Sequence, residues 1–184
     1  MKAAEAVRAL LEALAAKGID YMVTGGLVSN VYGIVRSTQD ADIVVQVEDA
    51  RFREFVSTLP SALQIDPQIS FETITGSRRQ IVRVDRSPFV IELFYLGTDP
   101  HHLVRFARRV WQYLPDIETN AWISTPEDMV VQKLRWNRDK DRDDVRNILA
   151  VQGDALDFGY IENWCDLHGT RARLDELRRS IPPL

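Results

Sequence analysis

The segment GGLVSNVYGIVRSTQDAD, residues 25–42, decides how this chain is interpreted. Its glycine pair directly follows the short apolar run YMVT, residues 21–24, which we predict to be a buried strand. The residues after the glycines predict one or two helical turns. Glycine allows the backbone to approach an anion closely, and N–H groups at a helix start can bind phosphate oxygens. Gly25 and Gly26 are therefore candidate phosphate-binding residues.

Two carboxylates end the same segment. The run DADIVVQV, residues 40–47, alternates enough to be a strand, and side chains at i and i+2 of a strand share one face. Asp40 and Asp42 should then project together. Mg²⁺ takes one or two protein carboxylates and completes its shell with waters and phosphate oxygens, so the pair is a candidate metal site. A plain alternative stays open, in which the glycines form only a turn and both aspartates are solvated.

A third acid lies in the run FVIELFYL, residues 89–96, which is otherwise strongly apolar. Glu92 sits in the middle of this predicted strand. An acid in a buried run is costly unless it is paired or bound to a cation. A metal ion would satisfy Glu92, and so would an ion pair with an arginine such as Arg83 on the preceding strand.

With these residues in order, the chain resembles the nucleotidyltransferases of the DNA polymerase beta superfamily. It is most similar to the small bacterial forms related to antibiotic adenylyltransferases and abortive-infection toxins. Their pattern is Gly-Gly or Gly-Ser, then an acid-x-acid strand, then a third acid on a neighbouring strand. Arg36-x-Thr38 is similar to an arginine and hydroxyl found before the acids in many minimal members. Two positions depart from the pattern: Glu92 stands where Asp is usual, and Gly26 where many active members have Ser.

The resemblance implies metal-dependent transfer of a nucleoside monophosphate from an NTP to an acceptor hydroxyl, with release of pyrophosphate. Mg²⁺ (or Mn²⁺) would be the cofactor and an NTP such as ATP the substrate. The implied catalytic and metal-binding residues are Asp40, Asp42 and Glu92. The implied nucleotide-binding residues are Gly25, Gly26, Ser29, Arg36, Thr38 and Lys133. The acceptor stays open between an RNA end, a protein hydroxyl and a small molecule, and the alternative function is a non-catalytic binding or toxin/antitoxin-type protein.

Lys133 interrupts the apolar stripe of its own predicted helix, because Met129, Val130, Leu134 and Trp136 lie around it at helical spacing. Its ammonium would contact the triphosphate or acids facing the helix. A stem that snorkels to a solvated ammonium is an equal alternative.

The segment after this helix alternates aspartates with basic residues. Such alternation usually indicates a solvated, ion-paired helix face. The aspartates concerned are Asp139, Asp141, Asp143 and Asp144.

The element order predicts an α/β (α+β) fold, with a mixed β-sheet backed by helices and C-terminal helices packed beside it. Predicted helices are 2–17, 26–33, 49–58, 100–113, 126–138, 141–151, 157–168 and 171–179, with a short helix or turn near 67–75. Predicted strands are 20–24, 40–47, 79–85, 89–96 and 120–123. We expect residues 1–124 to form the nucleotidyltransferase core and 125–184 a helical segment within the same domain.

Composition predicts a compact cytoplasmic enzyme without a membrane span. The chain has 184 residues, 45% of them hydrophobic, which suffices for one core. Its single cysteine, Cys165, cannot form an internal disulfide, and charges interrupt the N-terminal apolar run too often for a signal peptide. A net charge of −4 argues against a general nucleic-acid coat. A homodimer or a cognate protein partner stays open.

Overall fold

The computed structural model describes residues 1–181. Its helices are α1 (Ala3–Ala16), α2 (Gly25–Tyr32), α3 (Asp49–Val56), α4 (Pro100–Ala107), α5 (Pro126–Trp136), α6 (Asp139–Gln152), α7 (Phe158–His168) and α8 (Arg171–Arg179), with 3₁₀ turns at Pro115–Ile117 and Gly153–Ala155. Its strands are β1 (Asp20–Thr24), β2 (Asp40–Gln46), β3 (Leu63–Ile65), β4 (Ser70–Phe71), β5 (Arg78–Val84), β6 (Val90–Tyr95), β7 (Val110–Leu114) and β8 (Thr119–Ile123).

The strands form one sheet in the order β3-β5-β6-β2-β1-β8-β7, with β4 also paired to β5. The β2–β6 and β1–β8 pairs are parallel, and the other pairs are antiparallel. This confirms the predicted mixed sheet and the α/β (α+β) class. Strand β2 lies at the centre, so its side chains have neighbours on both sides.

The helices cover the two faces of the sheet unequally. The larger core contains the apolar face of α1 together with residues of α2, α5, α6 and the sheet; for example, Leu10, Val28 and Ile148 are all buried there. A smaller cluster lies on the opposite side of β2 and packs beneath α4. Its buried members are Met22, Val44, Phe94 and Phe106. Val44 shares its strand face with Asp40 and Asp42, so this cluster extends along the face that carries the acids.

Three segments differ from the prediction. The helix predicted over 100–113 ends at Ala107, and Val110–Leu114 is a strand, because its β-branched and aromatic residues pair with β8. Residues 67–75 contain the two-residue strand β4 followed by a turn, so the turn alternative for this segment is correct and the short helix is wrong. Strand β3 was not predicted at all; it is three residues long and its pairing partner, β5, lies about twenty residues further along the chain.

The C-terminal helices share the main core with the N-terminal elements. The expected division at residue 124 stays a prediction. Within the described residues, no helix is long and apolar enough to cross a membrane.

Candidate active site

Strand register places the three acids on one area of the sheet. Strand β2 pairs with β6 so that Asp42 lies directly opposite Glu92, and it pairs with β1 so that Asp42 lies opposite Thr24. Asp40 precedes Asp42 by two residues and therefore points to the same face. Residues 50 positions apart along the chain thus share one small area of the sheet.

These acids line a cavity of about 260 Å³. The start of α6 supplies a basic wall to the same cavity through its N-cap residue, Arg138, and Lys140 of its first turn. The remaining lining residues are Glu72, Thr73, Ile74, Arg79, Phe94 and Trp136. A cavity with carboxylates on one wall and cations on another can accommodate a polyanion together with a divalent cation.

Gly25 lies against Asp42. Its φ is +68°, a conformation that favours glycine, and a Cβ there would lie 1.7 Å from Asp42 Oδ2. No other residue fits this position without displacing the carboxylate. The backbone at Gly25 is therefore packed against Asp42, and its predicted approach to a phosphate stays a prediction.

Gly26 lies against Thr38 in a similar way. A Cβ at Gly26 would lie 2.6 Å from Thr38 Oγ1. That hydroxyl donates a hydrogen bond to Asp40 Oδ1 at 2.9 Å. The chain has Gly26 where the Gly-Ser pattern has serine. Thr38 fills the space that a serine side chain would need, and its hydroxyl orients Asp40.

Asp42 carries the strongest electrostatic perturbation in the cavity. Burial, followed by the charges of Asp40 and Glu92, raises its pKa to about 7, while Lys133 and Lys140 oppose this rise. The physical meaning is that negative charge in this area is insufficiently compensated by the protein itself. Oxygen donors with excess negative charge suit a hard divalent cation such as Mg²⁺, so the residues fit the implied metal.

Glu92 is held away from that role by an arginine. Arg79 Nη1 donates to Glu92 Oε2 at 3.0 Å, and Arg79 Nε also donates to Ser70 Oγ. The partner suggested from sequence, Arg83, was wrong, since Arg83 pairs with Asp66. With the side chains so arranged, the described residues contain no group of three His, Cys, Asp or Glu side chains ready to hold a metal ion. Arg79 contacts one oxygen of Glu92, so a metal ion held by all three carboxylates would compete with Arg79 for this side chain.

Three predicted nucleotide-binding residues meet at Asp144 instead of facing the open cavity. Ser29 donates to Asp144 at 3.3 Å, Arg36 binds both carboxylate oxygens of Asp144, and Lys133 donates to it at 2.7 Å. Lys133 is only 3% exposed and also pairs with Asp141, so the snorkelling alternative is wrong. Their contact with a nucleotide stays a prediction.

The predicted solvated face of α6 is also only partly correct. Asp143 is exposed, but Asp141 and Asp144 are buried. Asp144 pairs with Lys133 and Arg36, and Asp141 pairs with Lys133 as well as with Arg138, so each buried aspartate has a counter-charge from outside α6. An alternating charge pattern carries no information about such distant partners.

Sequence reasoning did not single out Arg79, Arg138 or Lys140 for the site, although all three line it. Arg138 and Lys140 follow α5 directly in the run RDKDRDD, whose density of charge was the available signal. Lys140 makes no ion pair with any described residue, whereas Arg138 pairs with Asp141. Lys140 is therefore the cation of this wall that a ligand could engage most easily.

Comparison with known proteins agrees with this geometry at the level of the fold. No protein-family model and no curated sequence matches the chain. Solved structures do match it, and their shared fold is that of the nucleotidyltransferases.

An antigenic nucleotidyltransferase-like protein from Paracoccidioides brasiliensis is 17% identical, with 97% of this chain and 93% of that chain covered and a TM-score of 0.50. The solution structure of the antibiotic-resistance factor ANT(2'')-Ia is 9% identical over 96% of both chains, with a TM-score of 0.58. Its crystal structure with adenylyl-2''-tobramycin is 10% identical over 92% of this chain and 98% of that one, also at 0.58. At identities this low, the structural likeness shows the fold alone. Any conclusion about function rests on the residues of the site.

Proposed function

We propose that the protein is a metal-dependent nucleotidyltransferase that moves a nucleoside monophosphate from an NTP to an acceptor hydroxyl. The observation that carries this proposal is the register of β2 and β6, which sets Asp42 opposite Glu92 and beside Asp40 in one cavity with a basic wall. Carboxylates whose negative charge is incompletely compensated, in one cavity with Arg138 and Lys140, are suited to a metal-bound triphosphate.

In the proposed reaction, an oxygen of the acceptor attacks the α-phosphorus of the NTP. The bond from that phosphorus to the bridging oxygen of the β-phosphate breaks, and pyrophosphate leaves with the bonding electron pair. Asp40, Asp42 and Glu92 would hold Mg²⁺, and the proton of the acceptor hydroxyl would pass to one of these carboxylates. The metal would supply charge neutralisation at the phosphates and lower the pKa of the attacking hydroxyl.

The other side chains contribute position and charge. Thr38 orients Asp40 through its hydrogen bond, and backbone N–H groups at the start of α2, from Gly25 and Gly26, would contact phosphate oxygens. Arg138 and Lys140 would neutralise charge on the leaving pyrophosphate. Catalysis of this kind depends on positioning and electrostatics, so no covalent enzyme intermediate is needed.

The test is transfer of label from each of the four α-labelled NTPs, with Mg²⁺, to components of a cell extract. We expect one or more nucleotides to label an acceptor, and Asp40→Ala or Asp42→Ala to abolish the labelling. Fractionation of the product into RNA, protein and small molecules then identifies the acceptor class. Absence of transfer with every nucleotide would refute the proposal.

One observation favours the alternative of a non-catalytic protein with the same fold. The Arg79–Glu92 ion pair, at 3.0 Å, occupies the third acid that the reaction requires. If the pair is permanent, the cavity keeps only two available carboxylates. Calorimetric titration with Mn²⁺ plus ATP distinguishes the cases, since a permanent pair predicts ATP binding that is independent of Glu92, whereas catalysis predicts that Glu92→Gln weakens metal binding.

A further inference from the structure

Strand β7 is an edge strand whose outer side pairs with no other strand among the described residues. Four consecutive residues of its five are exposed, from Val110 to Tyr113. Trp111 is 55% exposed and Tyr113 49%, and both lie on the same face as Trp122 of β8. Trp111 and Trp122 already pack edge to face, with ring centroids 5.4 Å apart. The edge therefore carries an exposed aromatic cluster.

The opposite edge of the sheet is protected in the ways that natural sheets use. It is divided into the short strands β3 and β4, of three and two residues, with Pro67 between them. Short edge strands, charges and prolines prevent pairing with another chain. Strand β7, with the sequence VWQYL, has neither a charge nor a proline. The lack of protection is thus specific to one edge.

The sequence of β7 is nearly symmetric about Gln112. In an antiparallel pair of two identical strands centred on this residue, Trp111 lies opposite Tyr113, and Val110 opposite Leu114. Residues directly opposite in such a pair have side chains on the same face. One face of the joined strands would therefore carry Trp111 and Tyr113 of both copies. The other face would carry Val110 and Leu114, with Gln112 at its centre.

The residues that flank β7 have complementary charges. Arg108 and Arg109 precede the strand, and Asp116 and Glu118 follow it. Arg108 is the C-cap of α4 and Asp116 lies in the 3₁₀ turn, so these charges stand just beyond the two ends of β7. Asp116 is exposed, and its contact in this structure is a hydrogen bond from Asn30 at 2.7 Å. Within one copy, Arg108 pairs with Asp128 and Arg109 with Asp20. Antiparallel pairing of two β7 strands would bring the basic end of each strand near the acidic end of the other.

From these observations we propose that β7 is a homodimer interface, in which the β7 strands of two copies pair antiparallel about a two-fold axis at Gln112 and join the two sheets into one. A closed two-fold arrangement uses the same surface on both copies, as the symmetry of the strand allows. The aromatic residues Trp111, Tyr113 and Trp122 of each copy would form the apolar centre of the interface.

The first test is molar mass in solution, measured by light scattering after size exclusion. We expect the full chain to give twice 21.1 kDa, and Trp111→Lys to give 21.1 kDa because a lysine at an edge strand opposes pairing. The control is Leu167→Lys, which places the same charge at a 68% exposed leucine of α7 and should leave the dimer intact. Circular dichroism verifies that both variants are folded.

The second test addresses the register. Gln112→Cys places two thiols next to the proposed axis, so mild oxidation should give a covalent dimer. Gln64→Cys is the matched control, because Gln64 is the exposed central residue of the opposite edge strand. The natural Cys165 is buried and should not react. A single mass of 21.1 kDa at every concentration, a dimer that survives Trp111→Lys, or equal cross-linking of the two cysteine variants would each overturn the proposal.

Discussion

Gly26 shows at the scale of a single residue how this site departs from the pattern it resembles. A side chain at this position would meet Thr38, whose hydroxyl holds Asp40. Family comparison alone suggests that a serine here would improve the site. The packing around Thr38 indicates the opposite.

We therefore expect Gly26→Ser to displace Thr38 and break its hydrogen bond to Asp40. Loss of one such bond costs roughly 1–1.5 kcal/mol, so the rate of nucleotidyl transfer should fall about tenfold. In a Thr38→Ala background the clash is absent, so the same change should cost little more. Initial rates of the wild-type protein, both single variants and the double variant measure this. A transfer rate for Gly26→Ser equal to or above that of wild type would show that Thr38 can move aside without loss of activity.

Arg79 competes with a metal ion for Glu92. Its replacement by a neutral residue should free the carboxylate and strengthen Mn²⁺ binding, since a charge-assisted hydrogen bond need no longer be broken. We expect Arg79→Gln to bind Mn²⁺ several-fold more tightly than wild type in calorimetric titration.

Arg83→Gln is the matched control for this experiment. Arg83 lies on the same strand but pairs with Asp66, so its removal should leave Mn²⁺ affinity unchanged. Equal affinities of wild type and Arg79→Gln would mean that Glu92 takes no part in binding the metal.

At the scale of elements, Asp144 connects α6 to two other parts of the chain. It accepts from Lys133 of α5 and from Arg36 of the segment before β2, and it is 2% exposed. This buried network sets the position of the α5–α6 turn, and hence of Arg138 and Lys140 in the cavity wall. Removing one member leaves the buried charge of Lys133 only partly compensated.

Asp144→Asn should consequently lower the free energy of unfolding at neutral pH by about 3–5 kcal/mol, the cost of breaking a buried ion pair. Denaturant unfolding monitored by circular dichroism measures it. Asp143→Asn, which changes the adjacent exposed residue, should lie within about 0.5 kcal/mol of wild type. A similar small effect for Asp144→Asn would contradict the network's role in stability.

The same carboxylate predicts a pH dependence. Burial raises the pKa of Asp144, but bonds and charges from Arg36 and Lys133 outweigh burial and hold it at about 2, below the ordinary 3.8. The stabilisation is complete above the unfolded value and is lost as pH falls through the folded value. Unfolding free energies measured from pH 5 down towards pH 2 should therefore fall more steeply for wild type than for Asp144→Asn.

At the scale of the whole molecule, the sheet concentrates negative charge that a ligand can relieve. Mg²⁺ or Mn²⁺ with ATP should raise the melting temperature, because binding to the folded state alone stabilises it. Asp42→Asn should raise the melting temperature of the metal-free protein by reducing repulsion, and should abolish the response to metal. Differential scanning calorimetry measures both effects, and a variant that keeps the full response would exclude Asp42 from the site.

The elements nearest the candidate site were the most predictable. Strands β1, β2 and β6 and helix α2 have strong local signals, namely apolar runs bounded by glycines, aspartates and proline. The segment from 100 to 113 has no local signal that separates helix from strand. Its apolar and basic residues fit a helical period as well as a strand, and only pairing with β8 makes Val110–Leu114 a strand.

The amino-acid sequence was thus sufficient for the α/β (α+β) class, for the order of the acids and for their projection from strands, because alternation and turn chemistry are local properties. Tertiary structure alone decided which groups meet. It placed Arg79 on Glu92, gathered Ser29, Arg36 and Lys133 around Asp144, and brought Arg138 and Lys140 opposite the acids. Ion pairs and buried charges depend on strand register and helix packing between distant segments, and no local pattern specifies those distances.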